Sequence, residues 1–187
     1  MKKFELSEEK KITNEGIVLY RIRACKDFTT YAGEKVKAGQ LGGWIENEKN
    51  LSQEYSCWIF DDAIVRDNAI VRDNATIRHK AKICGNSIIC DNSIVFNNVI
   101  ITDNAKIQEN AIICGSALIQ DNAIVCGSAN ICDNVIIRDN SIIRDDSLVC
   151  DDAVIGDDAI VCDNSTICDN AVIGNDSRIC GNSIVCG

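Results

Sequence analysis

Asp67-Asn68-Ala69-Ile70-Val71-Arg72 and, further on, Asp133-Asn134-Val135-Ile136-Ile137-Arg138 are two copies of a six-residue phrase. It recurs 21 times without an insertion from Asp61 onward in this 187-residue chain. A unit this short cannot bury an apolar face alone, so neighbours must stack into a solenoid of parallel strands. The columns of the hexad separate by their tolerance of charge. The fifth is always Ile or Val (Val65, Val71, Ile77, through Ile179 and Val185), and the third is only Ala, Ser or Val. Both point inward. The fourth admits Lys82, Lys106, Asn130 and Arg178, and the sixth admits Arg66, Arg72, Arg138 and Arg144, so both point outward. Alternation of this kind makes a short strand. Positions one and two, mostly Asp-Asn, Asp-Asp or Gly-Asn, make a corner, because these residues accept positive φ and hydrogen-bond their own backbone.

A second period counts the hexads in a coil. Cys114, Cys132, Cys150, Cys168 and Cys186 are 18 residues apart, as are Asn68, Asn86, Asn104, Asn122 and Asn140. Three hexads therefore make one turn, and about seven three-sided coils are expected. Stacked amides in such a file can bond to one another along the axis.

Ile155-Gly156-Asp157-Asp158-Ala159 and Ile173-Gly174-Asn175-Asp176-Ser177 match the pattern of the hexapeptide-repeat superfamily, which the chain resembles over residues 58–187. The resemblance implies a left-handed parallel β-helix. Many members are trimeric acyltransferases that use coenzyme A or acyl carrier protein, with a catalytic His near a subunit boundary. This chain departs from them. Its one histidine, His79, stands at a corner position, and no loop is inserted between coils to wall a site. His79 is thus a weak candidate base, no other catalytic residue is assigned, and no cofactor is expected.

Residues 1–57 lack the hexad and are expected to form an N-terminal cap on the β-helix of residues 58–187. Leu41-Gly42-Gly43-Trp44-Ile45 reads as a tight turn and an aromatic plug, with Trp44 and Trp58 as lids on the open core end. The stretch GGWIENEKNLS followed by Cys57-Trp58-Ile59 resembles the opening segment of uncharacterised bacterial and phage hexapeptide proteins, a likeness that carries no activity. At the other end Ser183-Ile184-Val185-Cys186-Gly187 stops within a repeat. A bare last coil is expected to pair, to be covered by a partner, or to mark a truncation.

Two outward columns are apolar. One holds Ile64, Ile100, Leu118, Ile136, Val154 and Val172, and the other Ile70, Ile88, Ile124, Ile142 and Ile160. Flat greasy walls suit packing of one prism on another, so a homo-oligomer is expected, with a protein partner as the alternative occupant. The Cys column reads as small side chains in such an interface. It is also a weak metal candidate (Cys114, Cys132, Cys150, Cys168, Cys186), although side chains projecting in parallel are poorly aimed for a disulfide or a tetrahedral site. Met1-Lys2-Lys3-Phe4 leads into a charged stretch rather than a signal peptide, and no apolar run approaches a membrane span. A reducing, cytoplasmic compartment without membrane contact is the expectation.

Residues 61–187 hold 19 acids against 9 bases, while residues 1–60 hold 9 against 10. An acidic rod argues against direct nucleic-acid binding, which needs Lys and Arg on phosphates. Asp103, Asp121, Asp139 and Asp157 form one corner column, expected to be solvated. There is no phosphate loop, HExxH, paired CxxC or nucleophile triad. The expected function is a non-catalytic scaffold that self-associates. An acyltransferase-like enzyme with an inter-subunit site and an acidic, DNA-mimicking or phage-type inhibitor of a host enzyme are the alternatives.

Overall fold

The computed structural model describes residues 2–187, an all-β solenoid whose helical content is a single 3-10 turn at Glu48–Asn50. Each hexad contributes a short strand to one of three parallel sheets. The first wall runs through Ile64–Val65 to Val172–Ile173, the second from Ile70–Val71 to Arg178–Ile179, and the third from Trp58–Ile59 to Ile184–Cys186. Register advances by one 18-residue coil per strand, as in Ile64↔Lys82↔Ile100. Cys168 pairs Cys186, and the Ile113↔Ile131 pairing seats Cys114 over Cys132.

Every first position from Tyr55 to Gly181 takes positive φ, between 51° and 77°. That left-handed residue turns the chain after each strand. Amides of the second, fourth and sixth positions then donate to the next coil, as Asn68 to Gly85 O at 2.9 Å, Ile70 to Ser87 O at 3.0 Å and Arg72 to Ile89 O at 3.0 Å. Third and fifth positions fill the core and are wholly buried along most of its length. Serine is admitted there because its hydroxyl donates back to the carbonyl three residues earlier, as Ser87 to Cys84 and Ser141 to Arg138, both at 2.7 Å.

Seven coils of hexads are joined by an eighth. Strands β1 (Phe4–Ile12), β2 (Val18–Ala24), β3 (Phe28–Thr29), β4 (Lys35–Val36) and β5 (Leu41–Ile45) precede the repeat. Of these, β5 already lies parallel to Ile64–Val65 with Trp44 beside Ile64, and Leu51 bridges Val71 in the same sense. Ile45, Leu51 and Ile59 are the inward residues of this first coil. Its last side spans eight residues instead of six, which hides it from a strict hexad search.

The remaining N-terminal segments cover this coil. β1 and β2 extend the first wall as an antiparallel hairpin, and β3–β4 folds over the top of the third. Phe4, Ile22 and Val36 carry the core past the first coil. Carbonyls at that end that receive no backbone N–H find side-chain donors. The Asn50 amide bonds Asp67 O and Ala69 O at 3.1 and 2.9 Å. Lys3, 1% exposed, points its ammonium at Glu54 O, Cys57 O and Cys57 Sγ. The two tryptophans, expected as lids, occupy outward positions of the first coil instead and are buried beneath the hairpins. Trp58 lies between Phe4 and Phe28, and Trp44 lies under Lys11 and Arg21.

Candidate functional site

The corners carry two files of side-chain hydrogen bonds. In the first, a carboxylate at position one accepts the backbone N–H of the residue one coil on. Asp121 Oδ2 takes Asp139 N–H at 3.2 Å, Asp139 takes Asp157 at 3.0 Å, and Asp163 takes Gly181 at 2.8 Å. The Asp column expected to be solvated is therefore engaged, because a left-handed corner directs its N–H out of the parallel ladder and needs an acceptor there. In the second file, Lys49 Nζ donates to Asn68 Oδ1. The amides then run Asn68 to Asn86, Asn104, Asn122 and Asn140, ending on Asp158 Oδ1, with steps of 3.0 to 3.1 Å.

His79 stands in the position-one file as an exposed corner with φ 58°. Asp61 Oδ2 accepts its N–H at 3.0 Å, and its own Nδ1 lies 3.3 Å from Asn97 N and 3.0 Å from Asn97 Oδ1. The imidazole thus stands where other corners hold a carboxylate, on the edge between the third and first walls.

The three walls are covered unequally. On the third, Thr76 is buried under β3–β4, and Arg78 pairs with Glu34 there. On the first, the tip of the β1–β2 hairpin hangs over the upper coils. Glu15 pairs with Arg66 at 2.7 Å, and the overhang forms a cleft of about 460 Å3 with Ile64, Lys82 and Ile100 on its floor and Lys11 at its rim. Burial holds the Lys11 ammonium below its ordinary range, with Asp62 opposing and Arg21 and Lys82 adding to the effect. Below the cleft Leu118, Ile136, Val154 and Val172 continue the outer row, and Val172 is 75% exposed. The second wall carries no hairpin. Ile70, Ile88, Ile124, Ile142 and Ile160 line its outer face, all half-buried by their own neighbours except Ile70, which is more open.

Cysteines occupy one edge as a continuous file. Cys168 and Cys186 are joined as a disulfide, as are Cys162 and Cys180 on another edge. Parallel thiols, expected to be poorly aimed for bonding, are nonetheless joined at these two steps, across Cα atoms 4.7 Å apart. Cys114, Cys132 and Cys150 are free and half-buried. Desolvation, then hydrogen bonds and charge from the adjoining Asp133 and Asp151, push the Cys132 thiol up to about 12 and that of Cys150 to about 11. At the capped end, burial raises the Cys57 thiol and lowers the Lys3 ammonium. No helix among the described residues is long and apolar enough to cross a membrane.

No family model matches the chain. Over 72 residues it is 38% identical to a protein of Escherichia coli K12 named as the uncharacterized acetyltransferase YdcK. The likeness takes in 35% of this chain and 21% of that protein, so the chain spans about a fifth of its length. Parallel coils repeating every 18 residues and this likeness together fit a hexapeptide-repeat superfamily.

Proposed function

We propose that the chain is a non-catalytic interaction scaffold that self-associates by laying one solenoid wall against another. The second wall carries this reading: five isoleucines stand in a straight outer row, broken once by Lys106, with no element of the chain upon them. Exposed apolar surface of that kind marks an interface, and a two-fold axis makes one flat wall its own partner. The charges on this wall fit such a pairing. With two prisms antiparallel and centred on Ile124, Lys106 faces Ile142 and Arg178 faces Ile70, so no cation meets its copy.

Sedimentation velocity under reducing conditions tests this. The wild type should sediment as a dimer or larger, and Ile124→Glu/Ile142→Glu should sediment as a monomer with an unchanged β spectrum. A wild type that stays monomeric up to its solubility limit would overturn the reading.

Acyl transfer is the second reading, supported by the likeness to an uncharacterised acetyltransferase. His79 is then the base, with its edge at a subunit boundary. Acetyl transfer or hydrolysis from acetyl coenzyme A should disappear in His79→Ala. Equal rates in variant and wild type would end it.

A further inference from the structure

Five of the twelve cysteines share one edge of the prism, at the sixth position of consecutive coils on the third wall. The scaffold reading makes no use of them. Three facts point to a ligand. The thiols stack in register: Cys114, Cys132 and Cys150 follow paired strand residues of successive coils, and the next pair down, Cys168 and Cys186, is joined. Two of the three thiols are followed by a carboxylate, Cys132 by Asp133 and Cys150 by Asp151, whose Oδ2 lies 3.2 Å from Cys150 Sγ. The file is half-exposed, so a small ion reaches it without opening the core.

We propose that Cys114, Cys132 and Cys150 form a binding track for a soft monovalent cation of the Cu(I) class, each ion bridging two thiolates of adjacent coils. Thiolates select soft ions. Two metal–sulfur bonds of about 2.3 Å, the length found for zinc–thiolate, span about 4.6 Å, which matches the 4.7 Å coil step. A bridging ion in near-linear two-coordination therefore fits with no movement of the backbone. Three sulfurs in a row take two ions, and three protons leave as two cations enter, so the file changes from neutral to a single negative charge. Asp133 and Asp151 supply negative charge at the file that draws the cation in.

Cys84 and Cys126 supply an internal control. Their stacked neighbours are Arg66 and Thr102 in one case, and Gln108 and Arg144 in the other, so neither has a second sulfur above or below it. Native mass spectrometry with Ag(I) as the probe, without reductant so that Cys162–Cys180 and Cys168–Cys186 stay joined, decides the matter. Wild type and Cys84→Ser/Cys126→Ser should each retain two ions per chain. Cys132→Ser should retain none, since both bridges use the central sulfur. Loss of only one ion in Cys132→Ser, loss in the control variant, or no uptake by the wild type would each overturn the proposal. Circular dichroism confirms that the serine variants keep their coils.

Discussion

An aspartate at the first hexad position does two things at once. It accepts a left-handed φ that most side chains resist, and it offers an oxygen to the one backbone N–H that the turn leaves outside the ladder. Asp121, which holds Asp139 N–H at 3.2 Å, separates the two effects. Asp121→Asn should cost a few tenths of a kcal/mol, since both capacities survive, whereas Asp121→Ala should cost about 1–2 kcal/mol, from lost left-handed tolerance and a lost acceptor. Urea midpoints check the pair. Asp151 gives the pH dependence. The Asp169 N–H it accepts, followed by the Cys150 thiol, holds its carboxyl below the usual range. A depressed folded value means the stabilisation is full above the ordinary carboxylate pKa of about 3.9 and is lost as pH falls through the folded value. Melting temperature should therefore drop in acid less steeply in Asp151→Asn than in the wild type. The need for positive φ at these corners was legible from composition. The coil-to-coil bond was not, although the preference for Asp at position one and Asn at position two was its signal. An acceptor-only side chain suits an N–H, and an amide suits a file of its own kind.

The strand that starts the solenoid, β5, has no room for a side chain at either of its glycines. A Cβ placed on Gly43 would lie 2.7 Å from Ala63 O, and one on Gly42 would lie 2.6 Å from Ile59 O. Gly43→Ala should cost about 1–3 kcal/mol, the usual range for overpacking, and lower the thermal midpoint without altering the later coils. This close approach explains why the first coil escaped the periodic reading. Its two glycines, its 3-10 turn and its eight-residue last side replace the hexad, while the inward residues Ile45, Leu51 and Ile59 still lie over Val65, Val71 and Ile77. Which columns formed walls was plain from the charges at position four. Which walls the N-terminal hairpins cover was not, since that depends on contacts such as Glu15 to Arg66 and Phe28 to Trp58 that no local pattern encodes.

As a whole particle the molecule is nearly one-dimensional, each coil touching only the coils above and below it. Stability should therefore be graded along the axis. Ile107, wholly buried in the middle, should cost about 2–5 kcal/mol on replacement by Ala, and Val185→Ala in the half-exposed last coil distinctly less. Hydrogen exchange should be fastest at Ile184–Cys186 and slowest in the central coils, and uniform protection would contradict this account. The amide file ending in Lys49 and Asp158 adds something of another kind. Turning one of its five asparagines around would set oxygen against oxygen on one side and NH2 against NH2 on the other, so all five hold one orientation or reverse together. An ammonium at the head and a carboxylate at the foot allow only one. The prism thus has an arrow written along its edge, and any neighbour that lies against that edge meets a surface with a front and a back.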